Sequence, residues 1–228
     1  MQYLGSKNRM SKHILPIILK DRKPNQLYVE PFVGGCNMID KVSGRRLAND
    51  NHTELIEMWK ALQGGWVPPT LVSKEEYKNI RLNPENYSPA MVAFVGFLCS
   101  FGGKWFGGYA FNSKKDNYAA RGSRVLVKQI ENLKSDIVFT SQDYLTMPLE
   151  PNSLIYCDPP YRNTTGYKDS FDHEAFYNWC RQKSKEGHTI FISEYNMPDD
   201  FKCIFQIPQD TVLNKNKKEP RIEKLYTI

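Results

Sequence analysis

"NSLIYCDPPYRNTTGY", residues 152–167, decides how the rest of the chain is read. A short apolar run, Leu154–Cys157, passes directly into Asp158, Pro159, Pro160 and Tyr161. Four apolar residues closed by turn formers read as a buried strand. In open α/β sheets, ligands bind just beyond the C-terminal ends of strands. An ionised Asp158 only accepts hydrogen bonds. A proline removes an N–H and fixes φ, so the carbonyls around Pro159 and Pro160 are rigid acceptors. Tyr161 adds a flat ring. Acceptors beside an aromatic face suit a planar exocyclic amine on a base. Accepting from both of its N–H groups draws the delocalised lone pair back to nitrogen and aims it at an electrophilic methyl group. A Pro-Pro turn closing a strand is the plain alternative.

Working outward, other stretches carry the strand pattern of β-branched and aromatic residues. They are 26–32, 44–50, 136–144, 188–196, 201–207 and 222–228, the last two reading as a closing pair. Helical spacing lies between them. Ser6 is placed to cap a helix over 7–15, which Pro16 would kink or end. Leu55, Ile56, Trp59 and Leu62 line one face of 51–62, and Leu126, Ile130 and Leu133 do so over 124–134. Asp172 is placed to cap 173–186. Strands alternating with helices predict an α/β fold with a mostly parallel sheet. Residues 61–123 break the rhythm with "GGWVPP", "NPENYSP" and "FGGKWFGG", and read as an insertion. The catalytic domain is then 1–60 and 124–228.

The chain has 228 residues, 40% hydrophobic and 25% charged, which suits a soluble globular protein. The apolar run 14–19 is too short to span a membrane, and no secretory leader pattern is present, so a cytoplasmic location is expected. Five scattered cysteines read as free thiols. "HEAFY" at 173–177 lacks the second histidine of HExxH, so no metal site is expected. Net charge is +6, and residues 101–134 hold seven basic residues against two acidic ones. Phe101, Trp105, Phe106, Tyr109, Phe111 and Tyr118 are interleaved with them. Basic and aromatic residues together suit phosphate contact and base stacking; a basic loop over ordinary core aromatics is the other reading.

Carboxylates close several candidate strands: Asp50, Asp143 and Asp158, with Glu30 at the end of the first. Acidic strand ends suit hydroxyls and amines rather than phosphates. The G-x-G-x-x-G fingerprint is absent, since the first strand is followed only by Gly34 and Gly35. A nucleoside with a cationic, amine-bearing tail fits better than a dinucleotide, and S-adenosylmethionine has that chemistry.

Six motifs in order carry a family resemblance: "YLGSK" (3–7), "YVEPFVGG" (28–35), "NDNHTEL" (49–55), "SQDY" (141–144), "DPPY" (158–161) and "ISEY" (192–195). The chain resembles Dam-type, D12 class DNA adenine-N6 methyltransferases. The resemblance implies a Rossmann-like fold with a seven-stranded, mostly parallel sheet, S-adenosylmethionine as methyl donor and DNA as partner. It implies that Tyr3 and Lys7 contact the cofactor region and that Glu30 to Gly35, with Phe32 and Gly34, lie under the methionine part. Asp50 would bind the ribose hydroxyls, and Asp143 and Tyr144 would border the adenine. Asp158 and the Pro159 carbonyl would hold the target amine, Pro160 would complete the rigid turn, and Tyr161 would stack on a flipped base. His52 stands where many members have asparagine. The family's recognition segment is matched only loosely by "FGGKWFGGYAFN". From charge and aromatics, Lys104, Trp105, Lys114, Lys115, Arg121 and Arg124 are the DNA-binding candidates. N4-cytosine methylation, an RNA substrate and a catalytically silent DNA binder are the rival readings. Oligomeric state stays open, a monomer included.

Overall fold

The structure, a computed structural model, describes residues 1–111, 116–162, 171–209 and 221–228. The described strands are β1 (Tyr28–Glu30), β2 (Arg46–Asn49), β3 (Ile137–Thr140), β4 (Leu154–Cys157), β5 (Thr189–Glu194), β6 (Lys202–Gln209) and β7 (Arg221–Thr227). They form one sheet in the order β3-β2-β1-β4-β5-β7-β6. The first five run parallel; β7 lies antiparallel between β5 and β6. The expected α/β class, seven strands and closing pair are all present.

Strand alternation divides the core. Tyr28, Leu154 and Tyr156 face one apolar layer, while Val29, Ile155 and Cys157 face the other. Burial on both faces explains why β4 reads as a continuous apolar run. The first layer holds α1 (Ser11–Ile18), α2 (Thr53–Gln63) and α5 (Tyr118–Ile130); α6 (His173–Lys185) covers the second. No helix connects β3 to β4, and Val138 on edge strand β3 is 60% exposed.

Boundaries differ from the sequence reading in two places. Helix α1 begins at Ser11, not residue 7; the Ser6 hydroxyl accepts from the Asn37 side chain at 2.8 Å and from the Asn8 N–H at 3.3 Å, and turns over 8–10 precede the helix. Pro16 sits inside α1, which ends two residues later. Helix α5 begins at Tyr118, where the Asn117 side chain accepts from the Ala120 N–H at 2.9 Å. Arg121 therefore lies on a helix and not in a loop.

Between α2 and α5 the chain forms α3 (Lys74–Leu82) and α4 (Pro89–Ala93), capped by Ser73 and Ser88. A π-helical turn, Phe94–Leu98, continues α4. Phe94 and Val95 join the same apolar layer as Leu55, Trp59, Ala48 and Phe139, so the insertion shares the core of the sheet. Among the described residues no helix is long and apolar enough to cross a membrane, and no group of three or more His, Cys, Asp or Glu side chains is placed to hold a metal ion.

Candidate active site

After β1 the chain builds β2 and β3 on one side, then returns to build β4 and β5 on the other. That reversal opens a crevice beyond the carboxyl ends of β1 and β4. Glu30 ends β1 and Asp158 follows β4, so both stand at the crevice.

Asp158 is half-buried and bound: Lys7 Nζ lies 2.9 Å from its Oδ1 and 3.7 Å from Glu223 Oε1. Lys7 also sits over the Tyr161 ring, 4.4 Å from its centroid. The Tyr161 hydroxyl donates to Glu223, and the ring meets Tyr195 edge-on at 4.7 Å. Burial pushes the Asp158 carboxyl above its ordinary range, against the pull of Lys7 and the Tyr161 hydrogen bond. Burial also raises Glu223, opposed by Lys7. For Lys7 burial works against the charge, but Asp158 and Glu223 outweigh it and keep the ammonium protonated. Pro159 is buried, Pro160 half-buried. The loop is tied down one residue later: the Arg162 N–H donates to Glu194 Oε2 at 3.2 Å, and the Tyr195 N–H donates to Oε1 at 2.8 Å. Burial lifts the Glu194 carboxyl to about 7.

The turn after β1 is built around Asp50. One carboxylate oxygen accepts the Gly34 N–H at 2.9 Å and the other the His52 N–H at 3.0 Å. Gly34 has φ +47, and a Cβ there would lie 2.7 Å from the Tyr3 ring, so glycine is required. Gly35 is likewise packed against Tyr3 and Asn37. Each Asp50 oxygen retains a further lone pair for a ligand hydroxyl. Glu30 is buried and accepts from the Tyr28 hydroxyl at 2.9 Å; burial raises its carboxyl well above the ordinary range.

Phe32 and Tyr144 are 5.0 Å apart and pack with Phe171 and Phe176 into an aromatic wall. Beside it Asp143 is exposed and accepts the Leu145 N–H at 3.0 Å. Asp50, Asp143 and the aromatic wall thus lie beyond the strand ends.

The DNA-binding candidates separate. Lys104, Arg121 and Arg124 are exposed. Arg121 lies over the Tyr118 ring at 4.5 Å and donates to the Gln2 side chain at 3.2 Å. Trp105 is 36% exposed, yet it packs on His52 at 4.3 Å and on Phe97 and Phe106 at 4.8 Å. A Cβ on Gly96 would lie 2.5 Å from its ring, so Trp105 fills the hollow left by that glycine. Lys114 and Lys115 lie outside the described residues.

Residues 3–95 match the D12 class N6 adenine-specific DNA methyltransferase family. That is the family the six motifs point to. The chain is also similar to the type II methyltransferase M.FokI of Planomicrobium okeanokoites, 22% identical over 209 residues, covering 79% of this chain and 31% of that relative. The chain thus spans about a third of the length of the curated relative it matches. Among solved structures, it is similar to yhhF from Escherichia coli, described as a candidate methyltransferase, with 10% identity, a TM-score of 0.40 and coverage of 96% of this chain and 84% of that one. It is also similar to SMU.472, another candidate methyltransferase, complexed with SAH, with 12% identity, a TM-score of 0.39 and coverage of 100% and 54%.

The D12 span holds Tyr3, Lys7, Glu30, Phe32, Gly34, Gly35 and Asp50, and stops before Asp158. The contact of Lys7 with Asp158 joins the matched segment to the DPPY turn. Two residues of the site were not singled out from sequence, Glu194 and Glu223. Glu223 shares a face of β7 with the buried Leu225, but that face becomes inward only through the pairing of β7 with β5.

Proposed function

We propose that the chain is a DNA methyltransferase that moves a methyl group from S-adenosylmethionine to N6 of adenine. The observation that carries this reading is the Asp158-Pro159-Pro160-Tyr161 turn at the switch point, its carboxylate in contact with Lys7 from the D12-matched segment. N6 is engaged in pairing inside a duplex, so the adenine leaves the stack to reach the turn. Asp158 and the Pro159 carbonyl accept its two N–H groups, and Tyr161 supports its face. When bound, S-adenosylmethionine supplies a sulfonium-linked methyl group; the N6–carbon bond forms as the carbon–sulfur bond breaks, and the bonding pair stays on sulfur. One N6 proton then leaves to Asp158 or water. Asp50 binds the ribose hydroxyls, Phe32 lies under the methionine part, and Asp143 and Tyr144 border the adenine of the donor. Residues 61–123 form the DNA target-recognition region, with Arg121 and Arg124 on α5 at its return.

Transfer of tritiated methyl groups tests the reading. Duplexes containing adenine accept label, and duplexes in which every adenine is replaced accept none. Label on adenine-free DNA would favour N4-cytosine chemistry, and no label on any duplex would leave a silent binder.

A further inference from the structure

Lys7 occupies both groups that the proposed reaction needs. Its ammonium holds Asp158 Oδ1 at 2.9 Å and covers the Tyr161 ring at 4.4 Å. While the lysine stays, a target amine must share the carboxylate with it, and a base cannot lie on that ring face. Nor can the lysine simply leave. It is 6% exposed, and a buried ammonium without a partner is strongly destabilising. A second carboxylate is waiting: Glu223 Oε1 lies 3.7 Å from the same nitrogen. A shift of about 1 Å would bring the pair to charge-assisted hydrogen-bond distance. Glu223 is itself fixed, because it is 2% exposed on β7 and accepts the Tyr161 hydroxyl.

We infer that Glu223 is a positioning residue, the second seat into which Lys7 moves when a target amine takes Asp158. Through the same carboxylate it holds Tyr161 in place as the lysine shifts. The move frees Asp158 Oδ1 for the amine and keeps the buried ammonium paired throughout. This inference rests on the methyltransferase reading. Glu223 reaches no reacting atom and acts through Lys7 and Tyr161. Facing it are Lys7 from the N-terminal segment, Asp158 and Tyr161 after β4, Tyr156 within β4 and Glu194 on β5.

Glu223→Gln keeps the size of the side chain and an acceptor for the Tyr161 hydroxyl but removes the charge. The variant is expected to melt like the parent and to bind S-adenosylhomocysteine equally well. Its kcat should fall about tenfold or more, with KM for S-adenosylmethionine unchanged. Loss of a like charge beside Asp158 should also move the acid limb of the rate profile to lower pH. Glu223→Asp, which keeps the charge, should recover most of the rate. A readout without turnover is the Lys7 ammonium signal in nitrogen-15 spectra. With S-adenosylhomocysteine and a duplex that the parent methylates, it should shift in the parent and stay in place in Glu223→Gln. A variant with kcat within twofold of the parent and an unmoved acid limb would overturn the inference, as would Glu223→Asp being as slow as Glu223→Gln. A parent that transfers no methyl group would instead overturn the methyltransferase reading, and this inference with it.

Discussion

Lys7 and Asp158 meet at 2.9 Å, joining the N-terminal segment to the turn that ends β4. The same lysine reaches Glu223 on β7, so three remote stretches of chain close one charged cluster at the end of the sheet. The cluster holds one ammonium against two carboxylates. Its carboxylate oxygens are the acceptors that an incoming exocyclic amine would meet.

Asp50 has two tasks, and replacing it should reveal both. Asp50→Ala removes the acceptor of the Gly34 and His52 N–H groups, at about 1–3 kcal/mol for each donor left without a partner. It also removes the proposed ribose ligand. A lowered melting temperature together with at least tenfold weaker calorimetric binding of S-adenosylhomocysteine is expected. Unchanged binding would take Asp50 out of the donor site.

Glu194 makes stability depend on pH. Its folded pKa, raised by burial from 4.5 to about 7, lies above its unfolded value. The folded state therefore holds the proton more tightly. The stabilisation is complete below pH 4.5 and is lost as pH rises toward 7, an effect on the order of 3 kcal/mol. Asp158 and Glu223 are shifted in the same direction, so the comparison must be made against a Glu194 variant. Melting temperatures from pH 4.5 to 8 should fall more steeply for the parent than for Glu194→Gln. Parallel curves would refute the assignment.

Much of this architecture was readable in the sequence because it depends on local pattern. The run Leu154–Cys157 is continuously apolar, and the structure buries every residue of β1 and β4. Asp50, Asp143 and Asp158 were found because carboxylates closing apolar runs are conspicuous. Glu223 was not, because nothing local distinguishes a buried glutamate in "RIEKLYTI" from one facing water. Its role depends on β7 pairing with β5 and on Lys7 arriving from the other end of the chain. The start of α1 lies later than the cap type suggests: Ser6 does accept the Asn8 N–H, but the chain makes turns over 8–10 before the helix begins at Ser11.

Trp105 anchors the inserted region to the turn beside Asp50. Its ring packs on His52, Phe97 and Phe106 and fills the hollow over Gly96. Trp105→Ala should cost about 2–3 kcal/mol, less than a fully buried tryptophan would. A clear drop in melting temperature is expected. A variant that melts normally yet loses DNA affinity would assign the ring to base stacking instead.

Lys104, Arg121 and Arg124 are exposed on the inserted region and the start of α5. Replacing all three with alanine should weaken DNA binding at low salt. The slope of log affinity against log salt should fall by about one unit for each phosphate that is no longer neutralised. A guanine contact by either arginine would appear as relaxed selectivity at one base position, about 1–3 kcal/mol. Unchanged affinity at low salt would exclude this face as the DNA-binding surface.

The most direct test of the whole account is the identity of the modified base. The protein and its Asp158→Ala variant are each expressed in a host that methylates neither adenine nor cytosine, and the digested DNA is examined by mass spectrometry. The account predicts N6-methyladenine with the parent protein. It predicts a hundredfold or greater loss with the folded variant, whose Lys7 keeps Glu223 as a partner. N4-methylcytosine without N6-methyladenine, or equal N6-methyladenine from both proteins, would contradict it.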